Sequence, residues 1–390
     1  MKPELLAPAG DFQCLAAAIN AGADAVYFGL SDFNMRARAQ NFKITDLPKI
    51  KQMCESSGVK RYLTLNTIIY DNELNQIEKL IKKVKPYINA IICSDISVMM
   101  LCKKNKIDFH VSTQASVSNS ETARFYKKLG AQRIILAREL NLKQIKKIAK
   151  IINIECFIHG AMCVAESGRC FTSQFLFNES ANRGKCLHPC RRTYFVKDNE
   201  GNELKVINNQ IFSAKDLCTL PFIEKLKKAK IKAFKIEGRA REPEYVDTVV
   251  RVYRKALDKK LNKQEIENSI NELNKVYNKG FSSGFYLKLP TSDDFSKSED
   301  SSSTQSKKFI GKITHYYDKI NVASIKINAD GLKLGDEILV LGDKTGIIRA
   351  KITSIQINHK PITEAKKSHE IAIKLPFCKK NDDVYKIIKR

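Results

Sequence analysis

At 390 residues the chain exceeds what one hydrophobic core usually sustains, so one large domain with a smaller companion is expected. Hydrophobic residues make up 43% of it, yet no apolar run reaches the roughly 18 residues of a membrane helix, which excludes a helical membrane protein. The balance of 68 basic against 42 acidic residues, +26 in all, favours phosphate-bearing polyanions as partners, although a lysine-rich codon bias would raise it without any partner.

The first residues, MKPELLAPAGDF, carry a proline and acids where a secretory signal needs a continuous apolar segment, so a soluble cytoplasmic protein is expected. From there to about residue 240, short runs rich in Val, Ile and aromatics alternate with amphipathic segments of helical length. Strands are predicted at Glu4–Ala7, Ala25–Gly29, Tyr62–Asn66, Ala90–Ser94, Phe109–Thr113, Arg133–Ala137, Glu155–His159 and Phe234–Glu237. Helices are predicted between them, the last at Leu217–Lys230. Eight strand–helix repeats within about 250 residues argue for a (β/α)8 TIM-like barrel, whose functional groups would gather at the carboxyl ends of the strands. An open doubly wound sheet has the same periodicity.

The alternation breaks after the seventh predicted strand, where a loop spans residues 160–209. It carries Cys163, Cys170, Cys186 and Cys190 in a C-x6-C-x15-C-x3-C pattern. In a reducing compartment such a cluster reads as metal ligands or reactive thiols rather than disulfides. The spacing fits four thiolates on an iron–sulfur cluster, and less well the paired knuckles of structural zinc. Unligated thiols are the third possibility. Cys14, Cys54, Cys93, Cys102, Cys156 and Cys378 fall in predicted helices and strands and read as small buried apolar residues.

Beyond the loop, Pro243–Lys259 and Lys263–Asn278 are predicted helices, and TSDDFSKSEDSSSTQSK has no hydrophobic face and reads as a linker. Six short strands follow from about Phe309, the pattern of a small β-barrel. The expected division is therefore a barrel domain over 1–290, a flexible linker over 291–307 and a small C-terminal β-barrel domain over 308–390. His159, ending a strand, is a candidate proton donor, Glu237 a second catalytic candidate, and Arg36 and Arg239 candidate anion grips. The G-x-S-x-G at Gly280–Gly284 follows a predicted helix rather than a strand, so it lacks the setting of a hydrolase nucleophile.

Several stretches together carry a resemblance: ELLAPAG with AGADAVYFGL, HVSTQASVSN, ECFIHGAMCVAESGRC, ANRGKCLHPCRR and FKIEGRAREPEYVDTVVRVYRKALD. From Glu4 to about Pro290 the chain resembles the collagenase-like peptidase family, and its C-terminal domain resembles that of the family's tRNA-modifying branch. The resemblance implies a barrel enzyme with a [4Fe–4S] cluster that hydroxylates the wobble uridine of tRNA to 5-hydroxyuridine without oxygen, using prephenate as a small-molecule cosubstrate. It implies Cys163, Cys170 and Cys186 as cluster ligands, with Cys190 as the fourth and Cys218 as the alternative. Arg36, Arg169 and Arg239 are the candidates for holding the cosubstrate carboxylates, and the anticodon arm is the expected macromolecular partner. No membrane partner is expected, and self-association is left open. A ribosomal RNA cytidine hydroxylase, a collagenase-like peptidase and an RNA-binding scaffold with structural zinc are the rival readings.

Overall fold

The structure, a computed structural model, describes residues 2–390 apart from Thr193, Phe195, Val196, residues 202–211 and Glu299. Part of the expected 160–209 loop and one residue of the expected linker therefore lie outside the described residues. Eight parallel strands close a barrel: β1 (Glu4–Pro8), β2 (Ala25–Phe28), β3 (Lys60–Leu65), β4 (Ala90–Cys93), β5 (Phe109–Val111), β6 (Arg133–Ile135), β7 (Ile154–Gly160) and, closing it, Ala233–Ile236. That last strand pairs with both β7 and β1. The helices α1 (Phe12–Asn20), α2 (Leu47–Glu55), α3 (Leu74–Val84), α4 (Ile96–Lys104), α5 (Ser120–Leu129) and α6 (Leu142–Ile148) connect the first seven strands. Each strand is nearly fully buried because helices cover its outer face and side chains fill the lumen, which is why strand sequences such as AVYF and AIIC are continuously apolar.

The lumen is not all apolar. The lower layer is a charged network: Arg133 donates to Glu4 at 2.6 Å and to Glu155 at 3.1 Å, and Lys235 donates to Glu155 at 3.1 Å. Arg133 lies beside the Tyr62 ring, which meets His110 edge-on at 4.7 Å. Burial pushes Glu155 up, but Lys235 and Arg133 outweigh it and hold its carboxyl below the ordinary range.

After β7 comes the cysteine loop with its helix α7 (Thr172–Phe177). The predicted helix at Leu217–Lys230 is corrected: β8 (Asp216–Cys218) runs antiparallel to the end of β7, and helix is confined to a 3-10 turn at Leu220–Phe222 that leads into α8 (Ile223–Lys227). Pairing edge-to-edge with β7 satisfies the backbone there, and Pro221 begins a separate turn. The strand closing the barrel, Ala233–Ile236, is thus β9, followed by α9 (Pro243–Asp258), α10 (Lys263–Asn274) and β10 (Phe281–Ser282). The serine-rich stretch read as a linker hydrogen-bonds back to the barrel, with Ser296 N donating to Ser213 O at 2.7 Å and Ser302 N to Asn278 O at 2.8 Å.

The C-terminal domain is all-β, with β11 (Gln305–Tyr317), β12 (Val322–Ile327), β13 (Leu332–Lys333), β14 (Glu337–Gly342), β15 (Gly346–Lys351), β16 (Ile355–Ile357), β17 (Lys360–Ile362), β18 (Glu364–Ala365), β19 (Glu370–Lys374) and β20 (Asp383–Lys389). Eight of these form one antiparallel sheet, ordered β15-β14-β20-β11-β12-β19-β16-β17, and β13 pairs with β18. Ile310, Ile325, Ile338, Ile371 and Val384 sit in an apolar core separate from the barrel's. The first strand starts at Gln305, which pairs with Lys389. The domain leans on the barrel through the turn before β15, where Asn20 of α1 donates to Thr345 O, and through Lys307, 2.8 Å from Glu244.

Candidate functional site at the barrel mouth

Alternation along each strand decides which side chains reach the lumen. On β9 it sends Lys235 inward, and Glu237 just past the strand follows. On β2 it sends Tyr27, on β3 Thr64 and Asn66, and on β7 Glu155 and Phe157. Their upper members line a cavity of about 70 Å³ at the carboxyl mouth, together with Arg36, Ser112, Gln114, Arg138, Arg239 and, from the loop above, Cys163, Ser167 and Gly168.

Arg239 is buried, donating to Thr64 Oγ1 at 2.9 Å and to Asn34 Oδ1 at 2.7 Å. Gly29 makes this possible, since a Cβ there would collide with that guanidinium and with Asn34. Burial lowers the Arg239 pKa to about 10, so the group stays charged at neutral pH. Arg36 pairs with Glu237 at 2.7 Å, and Tyr27 donates to Ile236 O at 2.9 Å beside them. Burial raises Glu237, but Arg36, Arg138 and Arg239 overcome it and leave its carboxyl at about 2. Lys235 lies 4.2 Å from the centre of the Tyr27 ring, with burial drawing its pKa down against the pull of Glu155. Arg138 stacks 4.0 Å over Phe157 and donates to Ala161 O, while its buried Nε has no partner among the described residues. The lining thus holds four cations, Arg36, Arg138, Lys235 and Arg239, against Glu237, with Glu155 beneath. Such a surplus of positive charge suits an anionic group.

The cysteine loop is fastened over this mouth. Arg183 forks onto Glu73 at 2.9 and 2.5 Å while stacking on Tyr70, Arg191 donates to Met162 O at 2.9 Å, and Ala37 N donates to Gly184 O. Cys170 N donates to Asn182 Oδ1 at 2.9 Å. The Cys186 sulfur accepts from His188 N at 3.4 Å and from Ser173 Oγ at 3.9 Å, and the Cys170 sulfur meets Thr172 Oγ1 at 3.3 Å. Burial, and then the charges of Cys163, Cys186 and Cys170, push the Cys190 thiol up to about 11 against the pull of Arg191. The other three thiols are therefore within electrostatic reach of Cys190.

Cys218 is elsewhere. It is buried on β8, where the Tyr253 hydroxyl approaches its sulfur at 3.7 Å. Among the described residues no three Cys, His, Asp or Glu side chains converge closely enough for one ion; a single tetrahedral metal at about 2.3 Å from each sulfur would draw them within about 4 Å of one another. A multi-iron cluster asks for a wider ring, because each thiolate meets its own iron, and for sulfurs already facing amide and hydroxyl donors. The donor set fits that group in its chemistry.

The remaining predicted residues are placed as follows. His159 does not face the cavity. A bulge in β7 shifts the pairing with β9 between Phe157 and His159, which turns the next side chain outward. Its ring packs among Tyr245, Tyr253 and Phe281, and burial holds it neutral with a pKa of about 3. Arg169 is exposed, away from the cavity lining. Sequence reasoning assigned no role to Arg138, which stood at a predicted strand end, or to Lys235, whose signal was a lysine at an inward position between Phe234 and Ile236. The six cysteines read as buried apolar residues are all buried.

The peptidase family U32 model matches residues 10–295. A collagenase of Porphyromonas gingivalis is 41% identical over 99% of this chain and 98% of its own. The tRNA hydroxylation protein P1 of Bacillus subtilis is 32% identical over 83% of this chain and 80% of its own. A 23S rRNA 5-hydroxycytidine synthase of Escherichia coli is 39% identical over 65% of this chain, which spans 39% of that protein.

Proposed function

The chain belongs to peptidase family U32, and on that footing we propose that it is an RNA-hydroxylating enzyme of the family's tRNA branch, converting the wobble uridine to 5-hydroxyuridine. The observation that carries this reading is that Cys163 opens onto the same cavity as Arg36, Arg138, Lys235 and Arg239. In this reading Cys163, Cys170, Cys186 and Cys190 hold a [4Fe–4S] cluster, which when bound supplies electron-transfer or Lewis-acid chemistry at the cavity edge. A relative named for tRNA hydroxylation aligns over 83% of this chain, and the +26 charge supports a polyanionic substrate.

The chain's own residues divide the work. Arg239 and Arg36, held in place by Asn34, Thr64 and Glu237, bind the two carboxylates of a prephenate-like cosubstrate. Arg138 offers its unpartnered Nε to the same anion, and Phe157 and Tyr27 give its ring an apolar floor. Small-molecule pockets usually exceed about 300 Å³, so the Cys163–Gly168 segment must lift to admit a cosubstrate and a splayed base together. A peptidase reading, raised by the relative named collagenase, needs a nucleophile with a base beside it. Among the described residues the cavity lining contains no histidine, and Ser112 is bonded to Asn66 and Gln114.

Nucleoside mass spectrometry of tRNA from a deletion strain tests the function. Loss of 5-hydroxyuridine derivatives, restored by the wild-type gene and not by Arg239→Ala, is expected. Undiminished 5-hydroxyuridine in a strain without a second copy of the gene would reject tRNA as substrate.

A further inference from the structure

The outer face of the cysteine loop presents a feature that the mouth cavity leaves unexplained. Phe171 is 62% exposed, Phe175 85% and Leu176 54%. Phe171, the N-cap of α7, and Phe175 within it stand four residues apart and so share one face, with ring centres 6.5 Å apart. The opposite face is committed inward: Ser173 is buried, reaching Cys186 and accepting from Leu187 N, and Thr172 meets Cys170. The same short helix thus holds thiols on one side and sets large apolar rings in water on the other. Contiguous exposed apolar surface of this kind usually marks a binding face.

The surroundings decide what that face fits. Residues 161–192 contain five basic side chains, Arg169, Arg183, Lys185, Arg191 and Arg192, against Glu166 and Glu179, a surplus of three. Arg169 and Lys185 are exposed, and Arg192 stacks over Phe177 at 4.5 Å, next to Leu176. Aromatic rings interleaved with cations are what an unpaired nucleic-acid strand uses, its bases stacking while its phosphates meet the charges. The same loop lines the mouth cavity through Cys163, Ser167 and Gly168, so α7 and the cavity edge belong to one segment.

We propose that Phe171, Phe175 and Leu176 form a stacking platform for the bases flanking the target nucleotide, holding the RNA strand open while that nucleotide enters the barrel. The proposal rests on the RNA-hydroxylase reading and adds a site to it.

The test uses the full-length, anaerobically prepared protein and a synthetic anticodon stem-loop RNA with 2-aminopurine beside the target uridine. Phe171→Ala/Phe175→Ala is expected to weaken binding by about 10-fold or more, the loss of at least one stacked base, and to abolish the quenching of 2-aminopurine. Phe175→Trp should keep both. The slope of log Kd against log salt should not change, because phosphate contacts are untouched. Unchanged iron content and circular dichroism check that the exposed substitutions leave the fold intact. Wild-type affinity and quenching in the double alanine variant would overturn the platform, as would a change of oligomeric state with RNA affinity kept, which would give the face to a second copy. If the deletion strain loses 5-hydroxyuridine and the double variant binds normally, only the platform falls. If the strain keeps it while the stem-loop still needs Phe175, the platform stands and the tRNA hydroxylase reading falls.

Discussion

Cys190 lies inside the 160–209 loop and Cys218 just beyond it, and the resemblance leaves either as the fourth ligand. Cys190 shares an electrostatic neighbourhood with Cys163, Cys170 and Cys186, whereas Cys218 faces Tyr253 beneath α9. In the cluster reading, Cys190→Ala should therefore lose most of the bound iron and its visible absorbance on anaerobic purification. Cys218→Ala should keep both and show only the modest destabilisation of a buried small side chain, about 1 kcal/mol. Equal iron loss in the two variants would remove Cys190 from its assigned place. The arginines divide in the same manner. Arg36 and Arg239 converge on the cavity from loops two hundred residues apart, while Arg169, which looked equivalent as a letter, points to the outer surface beside the platform.

At the scale of the element, β7 combines two roles. Its lower half sends Glu155 into the lumen as the shared partner of Arg133 and Lys235, and its bulge then removes His159 from the mouth. The buried carboxylate stabilises the barrel only because both cations are present, and deleting it strands Lys235 without its partner. Glu155→Gln should cost roughly 3–5 kcal/mol in chemical denaturation, the usual result of orphaning a buried charge. Adding Lys235→Met should recover part of that loss, since it removes the orphan. A double variant no more stable than Glu155→Gln would show that the network is not coupled through this pair. The helices between the first seven strands were legible, because their apolar spacing is local. The strand β8 was not, because LCTLPFIEKLKKAK has helical spacing and it is pairing with the distant segments β7 and β10 that makes Asp216–Cys218 extended.

Across the whole molecule, the C-terminal domain is seated on the barrel through a turn with a left-handed glycine packed against α1. Gly346 has φ of +69°, and a Cβ there would come 2.8 Å from Asn20 Nδ2 and 3.4 Å from the backbone of Ala16 on α1. Gly346→Val should therefore both strain the turn and wedge the domains apart. The expected result is a loss of about 1–3 kcal/mol, with increased proteolysis in the serine-rich stretch that joins the two cores. A cooperative melt and proteolysis pattern like the wild type's would show that the contact does not couple the domains.

What the sequence determined by itself was the repeating framework: eight strands of a barrel, the helices between most of them, an all-β tail, and a loop in which cysteines gather. Those properties follow from periodicity within a dozen residues. Tertiary structure decided the rest: that the last strand meets the first, that one bulge turns His159 away, that Lys235 and Arg138 join Arg36 and Arg239, and that Cys190 rather than Cys218 shares a neighbourhood with the other thiols. Each of these depends on which side of a strand a residue faces and on which distant segment lies opposite. One residue of register reverses the first, and closing the barrel sets the second.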